Sequence, residues 1–287
     1  MEEIQLLADF STSKEIILQS LHHFPENKKD ICSGFSKLDQ VIGGFSKGEL
    51  TAILTKPGHG KTSLLISLTL SIALNQHKTI AIFSPERSSA KLVQRMIESE
   101  IGVSLQKINQ ANFEPEALRE IQKKLEMLSK ADIFIDDSPT IHFENFEKKC
   151  RMLKQKYGIK QIFVDNIDLF SGYVQDRQRY IEDQTSILNE LKRIALELNV
   201  SIVAFSQMLN TTNLHEVNDM PGTDNITSFM TSIAEMILLL HRNTNPETMS
   251  QSEDLADLIL VKHPNIQVPQ RITLKFIEKS GKFADFE

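Results

Sequence analysis

The stretch TKPGHGKTS, Thr55 to Ser63, sets two glycines, two lysines and three hydroxyls directly after the apolar run LTAIL. A strand that runs into a glycine loop and then a helix lets successive backbone N–H groups surround a chain of phosphates at the helix N-terminus. Gly58 and Gly60 allow the backbone to approach phosphates with no Cβ in the way. Lys61 is expected to reach the β- and γ-phosphates, and the Thr62 hydroxyl to take a place on Mg²⁺. The expected nucleotide-binding segment is therefore Lys56, Pro57, Gly58, His59, Gly60, Lys61, Thr62 and Ser63. The pattern G-x-x-x-x-G-K-[ST] is met except at its first position, where Thr55 replaces glycine.

A phosphate loop alone hydrolyses nothing; it needs a carboxylate for the metal and a base for water. Strand-like runs end in acids at Glu86 (FSPERSS), at Asp136 and Asp137 (after IFI) and at Asp165 (after QIFV). Glu86 is a candidate base for the attacking water, its competing role being an acid at a helix start. Asp165 ends an unbroken apolar strand and is the expected metal-side carboxylate. Asp136 and Asp137 compete with it, or begin a turn into SPT and cap the next element. Gln207 ends SIVAFSQ, where an amide suits a hydrogen-bond sensor of the γ-phosphate. Ligands of an open α/β sheet sit outside the carboxyl ends of its strands. Four strand ends are thus expected to converge on one crevice for ATP and Mg²⁺.

The elements that must hold these residues alternate. Strand candidates at 49–55, 79–84, 131–137, 161–166 and 200–206 are near-continuous in Val, Ile, Leu and Phe, and amphipathic stretches lie near 61–76, 88–102, 115–130, 143–157 and 178–198. That pattern predicts an α/β fold, a mostly parallel sheet with helices on both faces. Beyond residue 230 the runs AEMILLLHR, DLADLILVKH and QRITLKFIE succeed one another without helices, which predicts antiparallel strands extending one edge. Near the N-terminus a short helix is expected at 13–23, and after it the linker-like HHFPENKKD.

With 287 residues and 40% hydrophobic side chains, the chain can bury a full core as one large domain, or as one domain plus an appendage. A net charge of −6 argues against a surface coated in basic residues for nucleic acid, though not against a local channel. The basic run EKKCRMLKQKYGIK (147–160) has helical spacing and reads as a solvated helix face. Cys32 and Cys150 lie far apart and indicate neither a disulfide framework nor a zinc site. No secretory signal or membrane-length apolar run is evident, so a cytoplasmic protein without membrane partners is expected.

Several segments in order resemble the C-terminal, RecA-like motor domain of DnaB-type replicative helicases: GFSKLDQVIGGFSKGELTAILTKPGHGKTSLLISL, FSPERSSAKLVQRMI, the stretch from IFIDDSPT to KQIFVDNIDLF, and RIALELNVSIVAFSQM. The likeness runs from about Ile31 to the C-terminus. It implies a RecA-like P-loop NTPase fold over 31–287, with Glu86 as catalytic glutamate, Asp165 as metal aspartate and Gln207 as γ-phosphate glutamine. It implies a hexameric ring acting on single-stranded DNA, in which residues 1–30 resemble the linker helix that docks on a neighbour. The family's N-terminal primase-interacting domain is expected to be missing, its place taken by another protein partner.

Two departures bear on mechanism. Family members carry a lysine and, two residues on, an arginine finger; here Lys262 fits the lysine but Pro264 stands at the arginine's place. Slow hydrolysis is expected unless Arg242 or Arg271 substitutes, since such an arginine contributes several kcal/mol to the barrier. The DNA-contacting loop reads TDNITSFM (223–230) and has no basic residue, which weakens phosphate contacts. The leading expectation is an ATP-hydrolysing helicase or translocase; the alternative is a DnaB-derived nucleotide-binding scaffold with weak or no helicase activity.

Overall fold

The computed structural model describes residues 31–110, 114–139, 141–169, 177–207, 228–242 and 255–286. The helix expected at 13–23, its linker and residues 223–227 of the DNA loop lie outside the described residues.

A helix α1 (Ser36–Ile42) leads into β1 (Leu50–Thr55), the glycine loop and α2 (Lys61–Leu70), which a π-helical turn prolongs through Ser71–Asn75. Then come β2 (Ile80–Phe83), α3 (Ser89–Ile101), α4 (Leu105–Gln110), α5 (Pro115–Ser129), β3 (Ile133–Asp136), α6 (Phe143–Tyr157), β4 (Gln161–Asp165), α7 (Arg177–Leu198) and β5 (Ser201–Gln207). The rest is α8 (Ser228–Ile233), β6 (Met236–Arg242), β7 (Leu255–Lys262), β8 (Gln270–Ile277) and β9 (Lys282–Asp285). All nine described strands form one sheet in the order β3-β2-β4-β5-β1-β6-β7-β8-β9.

The first five strands are parallel, as the alternating pattern predicts. One expectation is corrected: AEMILLLHR does not begin an antiparallel edge. β6 pairs parallel to β1, and only β7, β8 and β9 run antiparallel. The reason is that α8 returns the chain to the amino end of β1, where the Glu235 amide donates to the Leu50 carbonyl at 3.1 Å. β6 therefore starts level with β1 and lies in the interior of the sheet, which its five leading buried residues reflect.

Strand side chains alternate between two cores. Ile53, Phe163, Val203, Phe205 and Leu238 face α1, α2 and α3, while Ala52, Leu54, Val164, Ile202 and Leu239 face α6 and α7. α2 is buried on every side from Thr62 to Leu70, with β9 of the same sheet packed against it. There the Phe283 amide donates to Ser67 Oγ at 2.9 Å, and Ser67 Oγ donates to the Ser63 carbonyl at 2.9 Å. Each fully buried Leu or Ile of α2 is worth about 1.5–3 kcal/mol, so the helix behind the phosphate loop is held rigidly. The basic run at 147–160 is α6, whose Arg151 pairs with Glu147 and Glu197 while Arg193 of α7 joins the same carboxylates. Burial pushes the Cys150 thiol up, leaving an inert core cysteine.

Candidate active site

Strand register brings the expected residues to one edge. Thr55 pairs with Gln207, Asp165 with Phe205, and Phe83 with Val164, so the glycine loop, Gln207, Asp165 and the segment reaching Glu86 all leave the carboxyl ends of adjoining strands. Lys61 sits at their meeting point, its Nζ 2.6 Å from Glu86 Oε2 and 2.9 Å from Asp165 Oδ1. Burial alone would lower the Lys61 pKa, but Asp165 and then Glu86 outweigh it and raise it. Asp165 is fully buried. Burial raises its pKa and Glu86 adds to the rise, against the opposing pull of Lys61 and Arg87. Lys61 is the cation that meets Asp165, and among the described residues neither Asp165 oxygen gains a further directed donor. A buried carboxylate whose one cation is shared with Glu86 remains expensive unless a second cation meets it.

The two competing aspartates are engaged elsewhere. Asp136 accepts from Ser138 and from Lys149, and Asp137 accepts the Ser89 amide at 2.7 Å at the start of α3. Both carboxyls are held below the usual range. For Asp136 the Lys149 and Ser138 bonds overcome a burial that would raise it; for Asp137 the Ser89 amide is the main cause. They cap and brace, in keeping with the turn role.

The loop itself has the expected form. Gly58 and Gly60 adopt φ of +80° and +99°, and the Gly60 carbonyl accepts the Leu64 amide at 2.9 Å as α2 begins. Lys56 is partly exposed, Pro57 and Gly58 are exposed, and His59, Thr62 and Ser63 are buried. A Cβ on Gly60 would lie 2.9 Å from Phe283 Cζ, a close approach between loop and β9. His59 Nδ1 accepts the Arg242 amide at 3.0 Å, binding the loop to the end of β6. Its pKa falls to about 4, first through burial, then through His241, Lys56 and Arg242. The Thr62 Oγ1 accepts from Arg87 Nε at 3.0 Å. The residues fit a nucleoside triphosphate with its divalent ion: a glycine cradle, a lysine, a hydroxyl, and a buried carboxylate short of donors. Lys56 to Ser63 would hold the phosphates, and Thr62 with Asp165 the metal.

Four further residues bear on the arrangement. Asp168, which sequence reasoning missed, accepts the Gln207 amide at 3.0 Å and the Ser206 hydroxyl at 3.2 Å, fixing the end of β5. Its signal was only a second acid three residues past Asp165. Lys262 lies at the other end of the sheet: it pairs with Ile237 at the start of β6, and its Nζ donates to the carbonyls of Thr231, at 2.6 Å, and Ala234. It therefore does not join the site of its own chain. Of the two arginines considered as substitutes, Arg271 pairs with Asp257, and Arg242 stacks with its guanidinium carbon 4.1 Å from the Phe276 ring centre.

The family description "DnaB-like helicase C terminal domain" matches residues 30–285. The chain belongs to this DnaB-like family. It is 28% identical to the replicative DNA helicase DnaB of Geobacillus stearothermophilus and 27% identical to the replicative DNA helicase DnaC of Bacillus subtilis (strain 168), in each case over 97% of this chain and 63% of the relative. It thus spans a little under two-thirds of those helicases. Among solved structures it superposes on an ATPase domain with a TM-score of 0.85 at 21% identity, covering 97% of this chain and 100% of that one. A DnaB-like replicative helicase, studied with its primase interactions, gives 0.82 at 21% identity, covering 97% and 68%. The fold is accordingly that of DnaB ATPase domains, parallel strands with helices and an antiparallel C-terminal edge. Among the described residues no helix is long and apolar enough to cross a membrane.

Proposed function

We propose that this chain is an ATP-hydrolysing, DnaB-like helicase motor that works in the cytoplasm on single-stranded DNA as a homo-oligomeric ring. The observation that supports it most is Lys61 Nζ held at 2.6 and 2.9 Å between Glu86 and Asp165. Such a cluster suits Lys61 as a phosphate-binding cation, Glu86 as a base and Asp165 as a metal-side carboxylate. Bound Mg²⁺ would neutralise phosphate charge. Glu86 takes the proton of the attacking water, Lys61 binds the β- and γ-phosphates, and Gln207 hydrogen-bonds the γ-phosphate. Lys262 lies at the far end of the strands, away from the nucleotide site of its own chain, and a role toward a neighbouring copy in a ring would require it to leave the Thr231 and Ala234 carbonyls.

The decisive measurement is ATPase rate against single-stranded DNA concentration, with wild type, Lys61→Ala and Glu86→Gln. DNA is expected to accelerate the wild type. Each substitution is expected to lower turnover about a hundredfold or more, as losing one well-placed polar group at a reacting centre does. A wild-type rate unmoved by DNA would remove the motor and leave the second reading, a nucleotide-binding scaffold serving a protein partner. Pro264, exposed in the turn after β7 where the family places its arginine, favours that reading.

A further inference from the structure

Lys61 is the first cation of the site, and two carboxylates already compensate its charge. A second cation stands beside it. Arg87 comes directly after Glu86 in the turn that the Arg87 amide closes on the Ser84 carbonyl at 3.4 Å, and its Nε lies 3.0 Å from Thr62 Oγ1. Among the described residues Arg87 forms no ion pair, and its Nη hydrogens have no acceptor there. The family lysine and the two arginines considered above for the finger position are committed elsewhere: Lys262 at the opposite end of the strands, Arg271 to Asp257, Arg242 to the Phe276 ring. Lys61, Glu86 and Asp165 sum to one negative charge, so the lysine is already compensated, and a further cation beside it adds to what a divalent ion brings with the triphosphate. An arginine with its fork unspent matches a phosphoryl group in shape and sign.

We propose that Arg87 is a catalytic residue acting within its own chain, its guanidinium contacting the terminal phosphoryl group during hydrolysis. This rests on the nucleotide reading given under Proposed function. In that reaction a water oxygen bonds to the terminal phosphorus and Glu86 accepts the water proton. The bond from that phosphorus to the bridging oxygen breaks, its electron pair remaining on ADP. Negative charge builds on the phosphoryl oxygens and the bridging oxygen, where a fixed guanidinium acts most strongly. Thr62 Oγ1 marks where Arg87 waits, one residue from Lys61.

The test compares Arg87→Gln and Arg87→Lys with wild type in three measurements: turnover, the Kd of Mg·ADP, and the Kd of ADP with fluoroaluminate, a mimic of the transferring group. Thermal melting checks that each variant folds. Arg87→Gln is expected to lower kcat about a hundredfold and to weaken ADP–fluoroaluminate binding by about the same factor, with Mg·ADP binding changed less than about threefold. Arg87→Lys, which keeps charge but not the fork, is expected to fall between. Equal weakening of both complexes would make Arg87 merely a brace for Thr62 and overturn the proposal, as would a wild-type rate in Arg87→Gln. If Lys61→Ala also turns over at the wild-type rate, the nucleotide reading itself has failed. Lys61-dependent turnover with an indifferent Arg87 sinks only this inference.

Discussion

Gly60 and Gly58 carry the same kind of backbone in different surroundings, which allows strain and packing to be separated. Gly60 has φ +99°, and a Cβ placed there would lie 2.9 Å from Cζ and 3.1 Å from Cε2 of Phe283. Gly58 has φ +80° and nothing within 4 Å of the same added atom. A side chain in a sparsely populated positive-φ conformation costs about 1–2 kcal/mol, and this applies to both alanine variants. Only Gly60→Ala adds overpacking. The Phe283 ring, 1% exposed and 5.0 Å from the Phe276 ring centre, has little room to retreat, so a further penalty of about 1–3 kcal/mol is incurred. Gly58→Ala should therefore lose about 1–2 kcal/mol and Gly60→Ala about 2–5 kcal/mol in urea unfolding at matched m-value. Phe283→Leu shortens the ring that clashes. In a double-mutant cycle it should return only the packing share to Gly60→Ala, as favourable coupling of about 1–2 kcal/mol. Equal losses in the two alanine variants, or no coupling, would refute the contact between β9 and the phosphate loop.

The remaining predictions concern the groups that tie the loop and β5 in place. His59 has a folded pKa depressed from 6.5 to about 4, so it contributes stability that is present above pH 6.5 and lost as pH falls toward 4. At about 1.4 kcal/mol per pKa unit that is about 3 kcal/mol, reduced to about 2 by nearby solvent. His59→Asn keeps an acceptor for the Arg242 amide without titrating, so its stability curve should lack this part of the slope between pH 6.5 and 4; an unchanged slope would put the titration elsewhere. Asp168→Ala leaves the Gln207 amide and Ser206 hydroxyl without their acceptor, costing about 1.5–3 kcal/mol. Turnover should drop in parallel, with both recovered in large part by Asp168→Asn. Full activity in the alanine variant would detach Asp168 from Gln207 function.

How legible was all this in the sequence? The five parallel strands were, because strands buried on both faces must be continuous runs of Val, Ile, Leu and Phe. α1 was hidden by its seven-residue length between glycines. β9, four residues long, offered too short a run to show a period. The direction of β6 could not be read from its own residues, since it depends on α8 carrying the chain back to the amino edge. Among site residues, the strand-end carboxylates were visible and the unbroken apolar strand pointed to Asp165, but the physical reason for preferring it to Asp136 is spatial order. β4 stands two strands from β1 and β3 four, about 10 Å against about 19 Å at the usual strand spacing, and only the nearer one can meet Lys61. The contacts of Arg87 with Thr62 and of Arg242 with His59 span 25 and 183 positions, and no periodicity encodes them.

The contrast among the three aspartates is itself an argument about function. Asp136 and Asp137 have donors, and their pKa values are lowered; by linkage they contribute stability above the ordinary carboxylate range and lose it as pH falls. Asp165 has the opposite sign. Its raised folded pKa means that its favourable contribution exists only at acid pH, and that ionising it at neutral pH costs folding free energy. A carboxylate that served only the fold would be expected to acquire the donors its neighbours have. One kept fully buried, beside a lysine and without a further directed donor, is stabilised most by a further cation between it and Thr62, and such a cation would offset the cost only when it arrives. On the proposed function, a divalent ion arriving with the nucleotide would offset the cost of burying Asp165, so Mg·ATP is expected to raise the melting temperature more in wild type than in Asp165→Asn.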